Sequence, residues 1–516
     1  VEAGEIAMSR TSLLAAALVV SAFRFTGRAS AQDVLLDIQS PVPGADADNG
    51  IVIGDWDGDG INDVAIGAIR DSTVQYLAGA VRVHSGKDGS VLAQFFGQRA
   101  LEYFGAVLAR TPDLDGDGVD DLAVTAVYAD YAGPYTGSVF LYAGRTGAPL
   151  QRIDGPANGA AFGLSMGVVG DVDGDGIADL YMSDVALDEV VVHSGKDGHR
   201  IITYTGITAE YFGQSVSVLD DLDGDGIRDL LITAKHHQDA QGRFIGAAYV
   251  ISTKTGSVLQ TLLGTFDNEF FGYGSASIRD LDGDGVRDYA IASKDDVTFS
   301  KGPQIFVYSG ASATQLAQLS SPINGGSFST YFADAGDLDG DGFGDLAIDG
   351  AWSDTQGNGH GAVFLVSGRT FLHFERIEGE YGAFGAGCGD FDNDGRDDLI
   401  VGFSDYTTFD GEVRIYSGDD LWLLATPSEA TAGDFVRLRT SPGVPGNPTA
   451  LALEAVDGVP TFQLVNGVGT FGPMGGRNVD LTVPSGLAGH TFTLRAYAQN
   501  AALRVIQSAT TDVVCK

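Results

Sequence analysis

The sequence predicts an all-β protein, a seven-bladed β-propeller with a small C-terminal β-sandwich domain. Three observations carry that prediction. A nonapeptide of the form Asp-x-Asp-Gly-Asp-Gly-x-x-Asp recurs seven times, its copies starting 50 to 59 residues apart. The interval between copies holds short apolar or alternating runs bounded by glycine turns, enough for four strands. Four strands per unit, repeated seven times, close into a ring rather than a pair of stacked sheets. After about residue 425 the nonapeptide stops, but alternating runs continue.

The first element of each unit is the strand before the nonapeptide. Its signature is Tyr103-Phe104-Gly105, Phe162-Gly163, Tyr211-Phe212-Gly213, Phe271-Gly272 and Phe384-Gly385. The sixth unit has Tyr331-Phe332-Ala333 instead, and the first has Asn49-Gly50. The second element follows the nonapeptide, as in Asp-Leu-Ala-Val-Thr-Ala at 121–126. Runs of this kind suit strands buried on both faces. The third is an alternating strand ending in glycine: Gly79 to Gly86, Gly137 to Gly144 and Gly361 to Gly368. A fourth follows, as at Ser90 to Phe95 or Ser257 to Leu262. Asp33 to Ile38 reads like an extra fourth strand placed before the first unit, where it can complete the seventh blade. Leu421 to Leu424 competes for that position.

The nonapeptide is the chemical signal. Positions 1, 3, 5 and 9 are Asp55, Asp57, Asp59 and Asp63 in the first copy, and Asp113, Asp115, Asp117 and Asp121 in the second. They are Asp171, Asp173, Asp175 and Asp179, then Asp221, Asp223, Asp225 and Asp229, then Asp280, Asp282, Asp284 and Asp288. The last two copies carry Asp337, Asp339, Asp341 and Asp345, and Asp390, Asp392, Asp394 and Asp398. Four carboxylates within nine residues repel one another unless a cation sits among them. Hard oxygens at alternating positions curl around one ion. A main-chain carbonyl at position 7 (Ile61, Val119, Ile177, Ile227, Val286, Phe343 or Arg396) and the position 9 carboxylate complete a calcium shell. Up to seven Ca2+ ions are expected, with Mg2+ second because it demands stricter octahedral geometry. Glycine at position 6 in every copy allows the sharp turn. An EF-hand is excluded, because its position 12 Glu is replaced by Ile66, Val124, Met182, Ile232, Ile291, Ile348 and Val401.

These Phe-Gly, Asp-rich and Gly-Ala-Val elements resemble FG-GAP repeats, as in the N-terminal propeller of integrin α subunits. The resemblance covers about residues 33–424. It implies a seven-bladed propeller with calcium between the first two strands of certain blades, although here all seven loops carry a full ligand set.

Composition agrees. The chain has 516 residues and a formal charge of −39 from 69 acidic and 30 basic side chains. Four acids in each of seven loops account for 28 of the 69, so much of the excess is an inventory of metal ligands. So acidic a surface, without any basic cluster, argues against nucleic-acid binding. An apolar content of 44% suffices for large cores. Residues 1–31 read as a signal peptide that is removed: Met8-Ser-Arg, an apolar run from Leu13 to Phe23, then Ala29-Ser30-Ala31. No other apolar run is long enough for a membrane span. The expected location is therefore secreted, extracellular or in the cell envelope. Cys388 and Cys515 are too few for a disulfide scaffold, and Cys388 is expected as a buried free thiol.

The expected domains are a propeller over 33–424 and a sandwich over 425–516, the latter from runs such as Phe435 to Arg439, Val479 to Val483 and His490 to Tyr497. No catalytic constellation emerges, so the expectation is a non-enzyme. Gly163-Leu-Ser165-Met-Gly167 matches a nucleophile elbow but falls on an inner strand with no following helix. His84 and His193 occupy equivalent positions and read as packing or turn residues, and His236-His237 as ordinary loop residues. The loops opposite the metals carry Tyr76, Tyr128, Tyr131, Tyr135, Phe244, Trp352 and His360. They make this the expected recognition face, for an unknown protein or glycan ligand. The expected function is a calcium-stabilised binding or adhesion protein. The alternative is a carbohydrate-active propeller, either a lectin or a polysaccharide lyase or hydrolase.

Overall fold

The computed structural model describes residues 34–156, 161–294, 303–320, 327–338, 343–353, 359–371, 373–379, 382–393, 397–404 and 408–418. Beyond these it describes only backbone strands between Trp422 and Cys515. The signal peptide expected over 1–31 lies outside the described residues, as do the side chains of the expected sandwich and those of Cys388, Cys515, Trp352 and His360.

Seven four-stranded antiparallel sheets form the blades. In blade one they are Asn49–Val52, Val64–Ala68, Ala80–His84 and Val91–Phe96, paired in chain order. Blades two to six repeat that order. Blade seven differs: Gly382–Gly389, Asp398–Ser404 and Gly411–Tyr416 are followed in space by the N-terminal strand Val34–Gln39. The register runs from Val34 opposite Tyr416 to Gln39 opposite Glu412. The first strand of the fold thus closes the last blade. The competing segment, Trp422–Thr426, pairs with Phe435–Ser441 instead.

The second strands are buried along their length, and in blade one the third strand, Ala80–His84, is as well. Val64–Ala68, Asp121–Ala126, Asp179–Asp184 and Leu230–Ala234 have no half-exposed residue, so their near-continuous apolar runs face packed neighbours on both sides. Outer strands alternate: Val91–Phe96 buries Phe95 and leaves Val91 exposed. The core lies between blades. Phe95, Phe104, Leu122 and Val124 of the first two blades form one cluster, and Phe212, Leu230 and Ile232 join Val190 and Val192 in another.

The Phe-Gly and Gly-Ala signatures meet at these interfaces. Phe104 of blade two is 1% exposed, and Gly79 of blade one forms an isolated parallel bridge with it. A side chain on Gly79 would meet the Phe104 carbonyl at 2.2 Å, so only glycine permits the approach. Blade one, which lacks Phe-Gly, uses Asn49: its Nδ2 donates to the Gly105 and Ala106 carbonyls of blade two at 3.2 and 3.1 Å. Among the described residues no helix is long and apolar enough to cross a membrane.

Candidate metal centres

Every nonapeptide joins the first strand of its blade to the second, so all seven loops lie on one side of the ring. Loop one shows how the sequence builds the turn. The N–H groups of Gly58 and Asp59 donate to Asp55 Oδ1 at 2.7 and 3.0 Å, and that of Gly60 to Asp55 Oδ2 at 2.9 Å. Asp59 N–H also donates to Asp57 Oδ1 at 3.1 Å, and Ile61 N–H to Asp59 Oδ1 at 3.0 Å. That chain of bonds needs left-handed backbone at positions 4 and 6, and Gly58 and Gly60 adopt φ of 78° and 95°. Asn393, at position 4 of loop seven, takes φ 59°, a conformation asparagine tolerates.

The same bonds recur in loops two to five, with Asp113, Asp171, Asp221 and Asp280 at the centre. Carboxylate oxygens of Asp55, Asp57 and Asp63 lie within 4.8 Å of one another. So do those of Asp113, Asp115 and Asp121, of Asp171, Asp173 and Asp179, and of Asp280, Asp282 and Asp288. In loop four the converging set is Asp221, Asp223 and Asp225. Asp339 and Asp341 of loop six, and Asp394 and Arg396 of loop seven, lie outside the described residues. Asp337, Phe343, Asp345, Asp390, Asp392 and Asp398 are placed at the ends of those loops.

Position 9 does more than the spacing suggests. Asp63 is fully buried, and its Oδ2 accepts the Trp56 N–H at 2.7 Å while Oδ1 accepts the Gly86 N–H at 2.9 Å. The second bond ties the metal loop to the end of the third strand. It is present in every blade, from Gly144, Gly195, Thr253, Gly310, Gly368 and Gly418 to Asp121, Asp179, Asp229, Asp288, Asp345 and Asp398 at 2.8–3.3 Å. Position 9 is therefore a latch as well as a candidate ligand. At position 7, Ile61 and Val119 pack their side chains between blades, which holds the main chain there beside the carboxylates.

Electrostatics separates the two ends of the loop. Burial pushes Asp63, Asp121, Asp229 and Asp288 up to about 6, against their backbone hydrogen bonds, and the neighbouring loop aspartates push the same way. Backbone N–H groups, led by those of Gly118 and Gly226, hold Asp113 and Asp221 below the usual carboxylate range. A divalent cation among these groups favours the ionised form of all of them. The donor set is all hard oxygen, contains no imidazole or thiolate, and matches calcium chemistry.

His84 and His193, each 5% exposed, end third strands on the metal side of the ring and bond through Nδ1 to the Gly89 and Gly198 carbonyls at 2.9 Å, which makes them turn residues. The opposite face is built differently. Ser165 lies before an inner strand, and its Oγ contacts the Val216 carbonyl of the next blade at 3.4 Å, with no helix after it. His236 and His237 are more embedded than loop residues need be. His236 packs on Tyr211, Phe244 and Phe270 at ring separations of 4.4, 5.6 and 5.4 Å, and His237 Nδ1 lies 2.7 Å from Glu210 Oε1. Tyr131 is stacked between the Arg99 and Arg152 guanidiniums, while Tyr76 and Tyr135 are 68% and 55% exposed.

Comparison with known proteins agrees with this geometry. The family described as FG-GAP-like repeat matches residues 113–182 and 280–348, and that described as FG-GAP repeat matches 212–251. The chain is 37% identical over 143 residues to integrin alpha-PS2 of Drosophila melanogaster, covering 25% of this chain and 10% of that protein. It is 31% identical over 137 residues to integrin alpha-V of Gallus gallus, covering 25% and 13%. It is 29% identical over 158 residues to integrin alpha-IIb of Homo sapiens, covering 28% and 15%. The matched stretch is thus a small part of each of these relatives. Repeated Asp-rich loops between first and second strands, Phe-Gly packed on Gly-Ala across blades, and these matches lead to one conclusion: the chain is an FG-GAP repeat protein related to the N-terminal β-propeller of integrin α subunits.

Proposed function

We propose that this chain is an exported calcium-binding propeller that acts as a binding or adhesion protein through the face opposite its metal loops. The observation that carries the reading is the division of labour between the two faces. One collects the converging carboxylates, as at Asp55, Asp57 and Asp63, within 4.8 Å of one another. The other carries exposed aromatic rings such as Tyr76, Tyr128 and Tyr135 on long connections between rigid strands. Rigid scaffolds that present variable loops commonly bind through those loops.

In this reading Asp55, Asp57, Asp59, Asp63 and the Ile61 carbonyl, with their equivalents in the other blades, hold Ca2+. The ion neutralises the loop carboxylates and braces each first-to-second strand connection. No step in that role requires chemistry on a ligand, so the chain is read as a non-enzyme. The segment 425–516 is read as a sandwich that caps or attaches the ring.

The test has two arms on the full chain. Calorimetric titration with CaCl2 after chelation checks the metal, with several saturable sites expected and no heat of binding counting against it. A combined protein and glycan array checks the face. Saturable binding that is lost on Tyr76→Ala and Tyr135→Ala supports the recognition role. Glycan binding accompanied by depolymerisation overturns the non-enzymatic reading in favour of a carbohydrate-active propeller.

A further inference from the structure

In blades one to four the residue that follows the latch donor leans over the metal loop. In blade one it is Lys87, whose Nζ lies 3.5 Å from Asp59 Oδ2 at position 5. In blade two Arg145 places Nε 3.6 Å from Asp117 Oδ2 and donates from Nη2 to the Asp117 carbonyl at 3.2 Å. In blade three Lys196 Nζ lies 3.7 Å from Asp175 Oδ2, with His199 Nε2 3.6 Å from Asp173 Oδ2. In blade four Lys254 Nζ donates to the Asp225 carbonyl at 2.9 Å. Blade five breaks the series: the equivalent residue is Ala311, and Asp284 Oδ2 receives only the neutral Ser309 hydroxyl at 3.3 Å. Blades six and seven carry Arg369 and Asp419 at this position.

We propose that this position ranks the loops for calcium. The basic residue is a resident counter-cation that competes with the ion, which leaves loop five the tightest of loops one to five. The inference rests on the calcium reading above. Its physical basis is a comparison of magnitudes. The Lys87 side chain is 62% exposed, and an exposed ion pair contributes about 0–1 kcal/mol to a fold. Stability therefore gives little reason for a cation at this place in four consecutive blades. Calcium binding gives a better one. A unit positive charge roughly 6 Å from a divalent ion, even at the dielectric of water, weakens binding by about tenfold. Without calcium the same charge relieves repulsion among the loop aspartates. Each such loop thus exchanges one cation for another, and a graded set of affinities follows from one side chain per blade. Because the charge is exposed, the grading shrinks as salt is added.

Terbium titration of the full chain reads loop one directly, because Trp56 stands between Asp55 and Asp57 and sensitises an ion held there. Trp56→Phe must remove that share of the luminescence. Lys87→Ala and Lys87→Gln are expected to tighten loop-one binding by roughly tenfold at low ionic strength, and by less in 0.5 M KCl. Ala311→Lys is expected to weaken one site in a CaCl2 titration by a similar factor. Unchanged or weaker loop-one binding in both Lys87 variants, with wild-type binding intact, overturns the ranking. Absence of binding in the wild type overturns the calcium reading itself.

Discussion

Asp63 Oδ1 accepts a hydrogen bond from the Gly86 N–H at 2.9 Å, joining a metal loop to a turn 23 residues further along the chain. The approach is close enough that a side chain on Gly86 would meet the Asn62 carbonyl at 2.0 Å. The same carboxylate also accepts the Trp56 N–H, so both oxygens are spoken for before any metal arrives. Asp63 is therefore a structural residue and a ligand at once, whereas Asp57 is exposed and bonds only within its own loop.

That difference separates two variants. Asp63→Asn replaces one buried acceptor oxygen by an N–H2 group facing a donor, and is expected to cost about 1–3 kcal/mol even in chelator. Asp57→Asn is expected to leave the metal-free melting temperature within about a degree, since surface changes fall within ±0.5 kcal/mol. It should instead remove much of the calcium-dependent increment. Melting curves of both variants with excess chelator and with excess calcium make the comparison. Equal losses for the two in chelator would contradict the latch.

Chelation of the unmodified chain is the companion measurement. An ion bound only by the folded state adds about 2.7 kcal/mol per site at a hundredfold excess over its dissociation constant. With several such loops the melting temperature is expected to fall by many degrees in excess chelator and to recover on adding back CaCl2. MgCl2 should restore less, because the loop supplies more oxygens than an octahedral ion takes. A melting curve indifferent to chelator would remove the structural role of the metal.

Much of this was legible in the sequence for identifiable reasons. The aspartates announced themselves because ligation demands them at alternating positions, and the second strands did because burial on both faces suppresses alternation. Closure by Val34–Gln39 was readable because the segment repeats the pattern of outer strands. Other features depend on how loops fold back over the blades, which no local period encodes. Glu102 looks like a surface residue, yet it is 1% exposed, and its Oε2 accepts the N–H groups of Gln98 and Arg99 at 2.7 and 2.9 Å. Glu269 does the same for Thr265 and Phe266, and Glu210 holds His237. A signal was present: Glu precedes the aromatic pair and glycine in Glu102-Tyr103-Phe104-Gly105, Glu210-Tyr211-Phe212-Gly213 and Glu269-Phe270-Phe271-Gly272. Lys87 and its equivalents were equally silent, since a basic residue in a turn reads as solvated until its distance to Asp59 is known.

Asp71 and Arg82 form a buried pair on the opposite side of blade one, 1% and 5% exposed, with Nη2 and Oδ2 at 2.6 Å. Burial alone would raise the Asp71 carboxyl, but hydrogen bonds from Thr73 and Arg82 outweigh it and hold the group below its ordinary 3.8. Its contribution is therefore intact above the unfolded value and lost as the pH falls through the lower folded one. Asp71→Asn leaves a buried guanidinium unpaired and is expected to cost about 3–5 kcal/mol at pH 7. Adding Arg82→Met should recover most of that loss and should also remove this pair's share of acid unfolding below pH 3.8. Chemical denaturation of the three proteins at pH 7 and pH 3 resolves the pair, and a neutral Asp71→Asn would contradict it.

The closing strand offers the sharpest test of the ring. Val34–Gln39 pairs with Gly411–Tyr416, and Ile38 sits in a cluster with Val413 and Ile415. The contact is also extended past the strand, where the Ser40 N–H donates to the Gly411 carbonyl at 3.0 Å. Deleting residues 34–39 removes the outer strand of blade seven and exposes a row of unpaired main-chain groups on Gly411–Tyr416. Such an edge invites pairing with other chains. It also releases the loop-closure constraint that ties the two ends of the ring together. The deletion is expected to lower the melting temperature by many degrees and to produce oligomers in light scattering. A milder variant, Ile38→Asp, keeps the backbone ladder but places a charge where the side chain is buried, and should cost several kcal/mol without opening the edge. If the deleted chain melted and scattered like the intact one, another segment would have to complete blade seven. Trp422–Thr426 would then have to leave its pairing with Phe435–Ser441 to do so.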